Sequence, residues 1–308
     1  MKPDAVKQLY GRICGTVRKR VSGVHERDAT RVERERGVVT LCDAGYYAGL
    51  RAMHASIASS TPCDVFCYDA GLTPAQRAEA SRVDRLHVLP LPDDPLIGDI
   101  IAATADSAPL AKPGKRIWPL WICPLLIRAA PVRDVFWLDT DLLVLRGLDE
   151  LFAMLDDGPV FTPENHAPEL APNRPELYDL LPIARSFERT KPVVNAGVSG
   201  WRRGRDDAAL AAYTVPVAAA ARDGAVRDAI SWHDQGALIW AIQSLGLEHR
   251  VLASARWNLC VANASLPQER LVWDDGIVTR LRAALPDVRI LHWNGHPAPW
   301  LELAATSR

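Results

Sequence analysis

The chain has 308 residues, 48% of them apolar and 24% charged, with a formal net charge of −1. Those values suit a folded globular protein with a sizeable core, and they carry no global electrostatic footprint for nucleic acid. No apolar run reaches the roughly 18 residues that a membrane span needs, and Met1 to Val21 lacks the apolar stretch of a secretory signal, so the sequence reads as cytoplasmic.

Residues 1–36 form a basic leader. Lys2, Lys7, Arg12, Arg18, Lys19, Arg20, Arg27, Arg31, Arg34 and Arg36 stand against five acids, and Val6, Leu9, Tyr10, Ile13 and Val17 recur at helical spacing. A solvated helix or a frayed segment is the first reading. A weak peripheral contact with an anionic membrane surface through this basic leader is the alternative. The six cysteines are scattered. Cys63 and Cys67 lie in an apolar, strand-like run without a second pair or nearby histidines, so they read as reduced, buried thiols and not as zinc ligands.

From Gly37 the pattern alternates between strand and helix. Gly37 to Asp43 is a short apolar run ending at a carboxylate, and Gly45 to Ser59 has helical character. Val65 to Tyr68 predicts a second strand, Pro74 to Val83 a helix capped by Thr73, and Leu86 to Leu89 a third strand. Val135 to Leu138 predicts a fourth, running straight into Asp139-Thr140-Asp141. This rhythm implies a mostly parallel central sheet flanked by helices, in which ligands bind beyond the carboxyl ends of the strands. Asp43 and Asp139 both sit at such ends. Further on, Pro163 to Pro192 reads as a long loop over the site, and Asp206 to Arg222 as a helix that Pro216 kinks or interrupts. Asp234 to Leu245 is another helix and Val288 to Leu291 a late strand. With no internal repeat or linker, residues 37–308 read as one domain.

Asp139 and Asp141 centre the chemistry. Two carboxylates two residues apart at a strand end can reach one hard cation such as Mn²⁺ or Mg²⁺, which would offset the charge of a departing nucleotide diphosphate. Two other readings compete. Haloacid-dehalogenase-like phosphatases carry a similar pair, but with Thr or Val where this chain has Leu143, and near the N-terminus. A nucleotidyltransferase calls for a basic, glycine-rich loop after the first strand, whereas Asp43-Ala-Gly-Tyr-Tyr-Ala-Gly49 has no Lys or Arg.

The stretch Val135-Phe-Trp-Leu-Asp-Thr-Asp-Leu-Leu-Val-Leu-Arg-Gly-Leu-Asp-Glu-Leu-Phe152 resembles the metal-binding segment of retaining GT-A glycosyltransferases of the glycogenin and lipopolysaccharide galactosyltransferase type, glycosyltransferase family 8. Val194-Asn-Ala-Gly-Val-Ser-Gly-Trp201 is similar to that family's Asn-Ser-Gly-Val segment, and His233-Asp-Gln-Gly-Ala-Leu238 to its Asp-Gln helix start. Trp257-Asn258-Leu259 resembles its Asn-bearing strand end. Ile290-Leu-His-Trp-Asn-Gly-His-Pro-Ala-Pro-Trp300 resembles its terminal His-x-x-Gly-x-x-Lys-Pro-Trp. Five motifs in order span roughly residues 37 to 300.

The resemblance implies an α/β GT-A nucleotide-diphospho-sugar transferase fold and transfer of a hexosyl group with retention, from a donor that is a UDP-sugar by preference. It implies that Asp139, Asp141 and His292 hold Mn²⁺ (or Mg²⁺), with Thr140 between the carboxylates. It implies that Asp43 and Tyr46 meet the base, that Asn195, Asp234 and Gln235 face the transferred sugar, and that Gly295 lies at the diphosphate. Most of the ten tryptophans read as core or rim. Two departures stand out. Ala298 replaces the family's lysine, leaving His296, Lys112, Lys115 or Arg116 as the candidates to supply its charge at the diphosphate, and Arg116 to Pro124 carries two prolines and two tryptophans where a plain helix with a basic residue is usual. A non-catalytic sugar-nucleotide or glycan-binding protein on the same scaffold is the alternative. The acceptor, whether glycan, lipid-linked or protein, is not legible.

Overall fold

The computed structural model describes residues 34–105, 118–267, 271, 274, 276–294, 296 and 298–300. The basic leader therefore lies outside the described residues except for Arg34 to Arg36, which already belong to the first strand, β1 (Arg34–Cys42). Gly295, Lys112, Lys115 and Arg116 also fall outside them.

Strand β1 leads into helix α1 (Tyr47–Ala58), β2 (Asp64–Asp69), α2 (Pro74–Ala80) and β3 (Leu86–Leu89). Helix α2 starts where the sequence places it. Thr73 accepts from the Gln76 amide while the Gln76 side chain accepts from the Thr73 amide, a reciprocal cap that satisfies two otherwise orphaned donors. Helix α3 (Pro95–Thr104) and the short α4 (Cys123–Arg128) precede β4 (Val132–Leu138). There follow β5 (Leu142–Val144), α5 (Asp149–Met154), β6 (Val160–Pro163), α6 (Pro175–Leu180), β7 (Val194–Arg202), α7 (Asp207–Ala220), α8 (Gly224–Ala229) and α9 (Asp234–Leu245). The chain closes with β8 (Leu259–Cys260), α10 (Ile277–Ala284) and β9 (Ile290–His292).

The main sheet has the order β3-β2-β1-β4-β7-β6. Strands β1, β2 and β3 are parallel neighbours, but β7 runs antiparallel to both β4 and β6. The central sheet flanked by helices is the expected one, with β7 as its reversed strand. That strand has an unusual make-up. Strand β7 is buried at every position except Arg202 and carries Asn195, Gly197, Ser199 and Gly200, so it lacks the apolar alternation that marks a strand in sequence. Its small residues are needed, because a Cβ on Gly200 would lie 2.5 Å from Phe136 Cζ. A second sheet, β5-β9-β8, pairs β9 antiparallel to β5 and parallel to β8.

Two expectations are corrected. Helix α7 runs on through Pro216 to Ala220, its burial outweighing one missing hydrogen bond. The 163–192 segment contains α6 and is not structureless throughout. The described cysteines, Cys42, Cys63, Cys67, Cys123 and Cys260, are buried and unpaired. No helix among the described residues is long and apolar enough to cross a membrane. Trp201, Trp240, Trp293 and Trp300 are fully buried, whereas Trp232 is exposed.

Helix α1 and the small sheet set the loop after β4. Ser56 accepts the Val144 amide at 2.9 Å and Thr61 accepts that of Leu148 at 3.0 Å, tying the end of α1 to β5 and its exit. Gly49 lies so close to the Thr140 carbonyl that a Cβ would sit 2.3 Å from it and 3.0 Å from Trp300 Nε1. Helix α1 therefore packs at Gly49 directly on the Asp139–Asp141 turn, with Trp300 alongside.

Candidate metal centre and donor site

The structure brings Asp139, Asp141 and His292 together. Asp139 follows the last residue of β4, and its amide donates to the Gly197 carbonyl across to β7 at 2.9 Å. Asp141 immediately precedes β5, and its carbonyl accepts from the Trp293 amide at 2.9 Å, joining it to the exit of β9. His292 Nε2 lies 2.9 Å from Asp141 Oδ1 and 3.8 Å from Asp139 Oδ2. One ligand atom from each lies within 4.8 Å of the others. Two carboxylates and an imidazole make a donor set suited to Mn²⁺ or a similar divalent ion. Room for an ion is built in at Gly197, where a Cβ would fall 2.6 Å from Asp139 Oδ2 and 2.5 Å from His292 Cε1.

The imidazole is oriented from behind. Asn258 Nδ2 donates to Asn195 Oδ1 at 2.9 Å and to Thr162 Oγ1 at 3.0 Å, so its Oδ1 must be the atom that faces His292 Nδ1 at 3.1 Å. Nδ1 then donates to Asn258, and Nε2 faces the carboxylates, donating to Asp141 until an ion takes the place of that proton. Replacing Asn258 with leucine is expected to weaken Mn²⁺ binding about 10- to 100-fold, whereas Asn258→Asp, which retains the acceptor, keeps most of it. Electron paramagnetic resonance of free Mn²⁺ during titration reads both.

Charge and burial shift these groups in opposing ways. Burial pushes Asp139 up to about 6, with Asp141 adding to the rise and His292 and the Trp137 indole N–H opposing it. Its side chain still keeps 42% of its surface open to an incoming ligand. Burial alone would lower His292, but Asp141, with Asp139 and Glu164, overcomes this and raises it. Any ion must displace both protons. Apparent Mn²⁺ affinity is therefore expected to climb as the pH passes about 6 and to go on climbing until His292 has also deprotonated, in titrations of the purified protein from pH 5 to 8.

The other predicted residues surround this centre. Asp43, at the end of β1, accepts the Gly45 and Tyr46 amides through Oδ1 at 2.9 and 3.1 Å and so shapes the turn into α1. The Tyr46 ring is 37% exposed. Its phenol is raised by burial and then by the charges of Asp141, Asp43 and Asp139, which places it at the same recess. Asp234 opens α9 at the first helical position, behind two non-glycine residues of positive φ, Trp232 (48°) and His233 (59°). Such backbone is costly unless the surroundings hold it, and it clusters at functional sites. Burial, reinforced by Asp139, raises Asp234 well above the usual carboxylate range. Asn195 is buried with its amide fully engaged. Oδ1 accepts from Gly197 and Asn258, and Nδ2 donates to Glu164 at 2.9 Å and towards Asn294 at 3.5 Å.

Glu164 is the residue that sequence reasoning missed. It is buried, and Oε2 accepts from Asn195 and, at 3.3 Å, from Gln235, whose own Oε1 accepts the Ala196 amide at 3.3 Å. Glu164 directly follows strand β6, so the strand-end carboxylate rule that singled out Asp43 and Asp139 applies to it equally. His296 meets His166, with Nε2 3.4 Å from Nδ1. Ala298 is buried beside Trp293 and Trp300 in the core that backs the small sheet, so a lysine there would have to leave an apolar site.

Among solved structures, the chain superposes on the galactosyltransferase LgtC in complex with donor and acceptor sugar analogues, with a TM-score of 0.55 at 17% identity over 88% of this chain and 95% of that one. An active-site Gln-to-Glu mutant of LgtC gives 0.56 at 17% identity over the same shares. The WbbM bifunctional glycosyltransferase gives 0.55 at 14% identity over 86% of this chain, which spans about half of WbbM, 47%. The fold is the GT-A fold. No family model matches the sequence, and no curated protein is similar to it in sequence. The GT-A frame explains the placement of the site. Asp43 and Asp139 leave the ends of adjacent strands β1 and β4, the central pair of the main sheet.

Proposed function

We propose that this protein is a Mn²⁺-dependent retaining hexosyltransferase that uses a UDP-sugar donor, with residues 37–308 as the transferase domain behind a basic leader. The observation that carries this reading is the convergence of Asp139, Asp141 and His292 in a recess that Gly197 keeps open. A divalent ion held by these three residues (Mn²⁺, with Mg²⁺ as the substitute) supplies positive charge for the departing diphosphate, an effect worth several kcal/mol.

The chain's own groups do the rest. Asp43 accepts from the base and Tyr46 packs against it, while Thr140 brings backbone close to the phosphates, with His296 beside them. Asp234 and Gln235 face the sugar. Asn195 acts as a positioning residue, because its amide has no hydrogen-bonding capacity left over. Asp234 is held towards its protonated form and both ends of the Gln235 amide are engaged, so neither is an apt nucleophile. Front-face attack fits better, with the acceptor hydroxyl entering on the side of the leaving group and its proton passing to the leaving phosphate. The LgtC structure, with sugar analogues of donor and acceptor, supports a sugar-nucleotide donor. The acceptor, a glycan, lipid-linked or protein hydroxyl, would be chosen by the 163–192 segment.

A nucleotide-release assay tests the reading. The purified protein is offered UDP-, GDP- and other sugar nucleotides with Mn²⁺ or with EDTA, in the presence of cell-extract acceptors. Release of UDP from one donor, abolished by EDTA, is expected. Donor binding seen by thermal shift, with no release from any donor or acceptor mixture, would overturn the enzymatic reading in favour of a binding protein.

A further inference from the structure

A second group of metal-ligating side chains stands beside the first. His166, Cys260 and His296 each offer one ligand atom within 4.8 Å of the others. Their chemistry differs from that of the Asp-Asp-His centre, since two imidazoles and a thiolate suit a borderline or soft ion such as Zn²⁺, while Mn²⁺ prefers oxygen. The spacing also fits. Two nitrogens bound to one tetrahedral zinc at roughly 2.0–2.1 Å lie about 3.3 Å apart, and His296 Nε2 is 3.4 Å from His166 Nδ1.

The three residues are held in place by contacts of their own. Glu164 Oε1 accepts the His166 amide at 2.6 Å. Asn165 accepts the Cys260 amide at 2.7 Å and donates to the Asn258 carbonyl at 2.6 Å, pinning the loop after β6 against β8. The His296 amide donates to the Trp293 carbonyl at 2.8 Å. Burial pushes the Cys260 thiol up, while the Ala262 amide N–H directed at it pulls the other way and favours the thiolate. Cys260 is the register partner of His292 on adjacent strands, and Glu164 accepts both from the His166 amide and from Asn195, which supports the first centre through Asn258, so the two sites are neighbours.

We propose that His166, Cys260 and His296 form a second metal site, selective for a zinc-class ion, that ties the loop after β6 and the turn after β9 to strand β8. Three protein ligands leave the fourth position of a tetrahedral ion to water or a bound ligand. The site does not depend on the transferase reading.

Cobalt substitution in the full chain, stripped with a chelator, tests it. Co²⁺ bound to a thiolate absorbs in the near ultraviolet by charge transfer, which a site of only oxygen and nitrogen ligands does not produce. The wild-type protein is expected to show this band, to saturate it at one equivalent, and to lose it to added Zn²⁺ but not to Mn²⁺. Cys260→Ala should abolish the band. His296→Ala and His166→Ala should weaken binding by at least the roughly 10- to 100-fold that loss of a supporting hydrogen bond alone inflicts on a metal site. Asp141→Ala should leave the band intact. The exposed His166 variant serves if the buried cysteine change prevents folding. Absence of the band in the wild-type protein, its survival in Cys260→Ala, or its loss in Asp141→Ala would overturn the proposal.

Discussion

Asp141→Ala is expected to lower UDP release about 10²- to 10⁴-fold, the rate equivalent of losing roughly 3–6 kcal/mol of transition-state charge stabilisation. Asp141 alone among the three ligands touches both halves of the centre. Its Oδ1 reaches His292 Nε2 at 2.9 Å, and its carbonyl holds the Trp293 amide. Alanine retains the backbone contact and removes the carboxylate, so the change isolates the charge. The paired reading is Mn²⁺ titration, in which affinity should fall with turnover while circular dichroism and the melting temperature of the metal-free protein stay close to wild type. A turnover within a factor of a few of wild type would exclude Asp141 from the centre.

Gly197→Ala is expected to damage the centre by steric intrusion without touching a ligand. The new methyl would sit 2.5 Å from His292 Cε1 and 2.6 Å from Asp139 Oδ2. His292 is locked by Asn258, and Asp139 is tethered by the Trp137 indole at 3.0 Å, so neither can yield cheaply. Overpacking of this kind typically costs about 1–3 kcal/mol of stability, and displacing a ligand should lower Mn²⁺ affinity about 10- to 100-fold, as loss of an outer support does. Gly98→Ala in α3 is the matched control. A Cβ there meets nothing within 4 Å, so a gain of roughly 0.5–1 kcal/mol from helix propensity is expected. Isothermal titration with Mn²⁺ and urea unfolding of both variants separate the two effects.

The parts of the fold legible in sequence share a property. Strands β1 to β4 are apolar runs bounded by turn residues or acids, and α2 and α9 begin at recognisable caps or motifs, so local pattern and tertiary environment agree. Asp43, Asp139 and Asp141 could be selected from position alone, as carboxylates at strand ends. Strand β7 escaped because Val194 to Trp201 is buried on both faces and built from small and polar residues, which removes the two-residue period. Of the β5-β9-β8 sheet, the late strand expected over Val288 to Leu291 meets β9, but β5 and β8 escaped because they are two or three residues long, and the pairings, such as Leu142 with His292, are set by packing far apart in the chain. His292 was accessible only through the family resemblance. Glu164 was hidden by its setting among prolines and polar residues, although it obeys the same strand-end rule. The support that Asn258 and Asn195 give one another is a network property, invisible until three strands are brought together.

The pairing of β9 with β5 has a consequence for how the protein becomes active. His292 lies 151 positions beyond its partner Asp141. A ribosome that has finished the main sheet at Arg202 has made both carboxylates but not His292, and β5 is still without β9, its neighbour in the small sheet. Contacts of such long sequence separation close late and slowly. The newborn chain therefore has no complete Asp139–Asp141–His292 group until synthesis has passed residue 292, and a product cut short before that point is expected to lack the divalent-ion affinity of the longer chain.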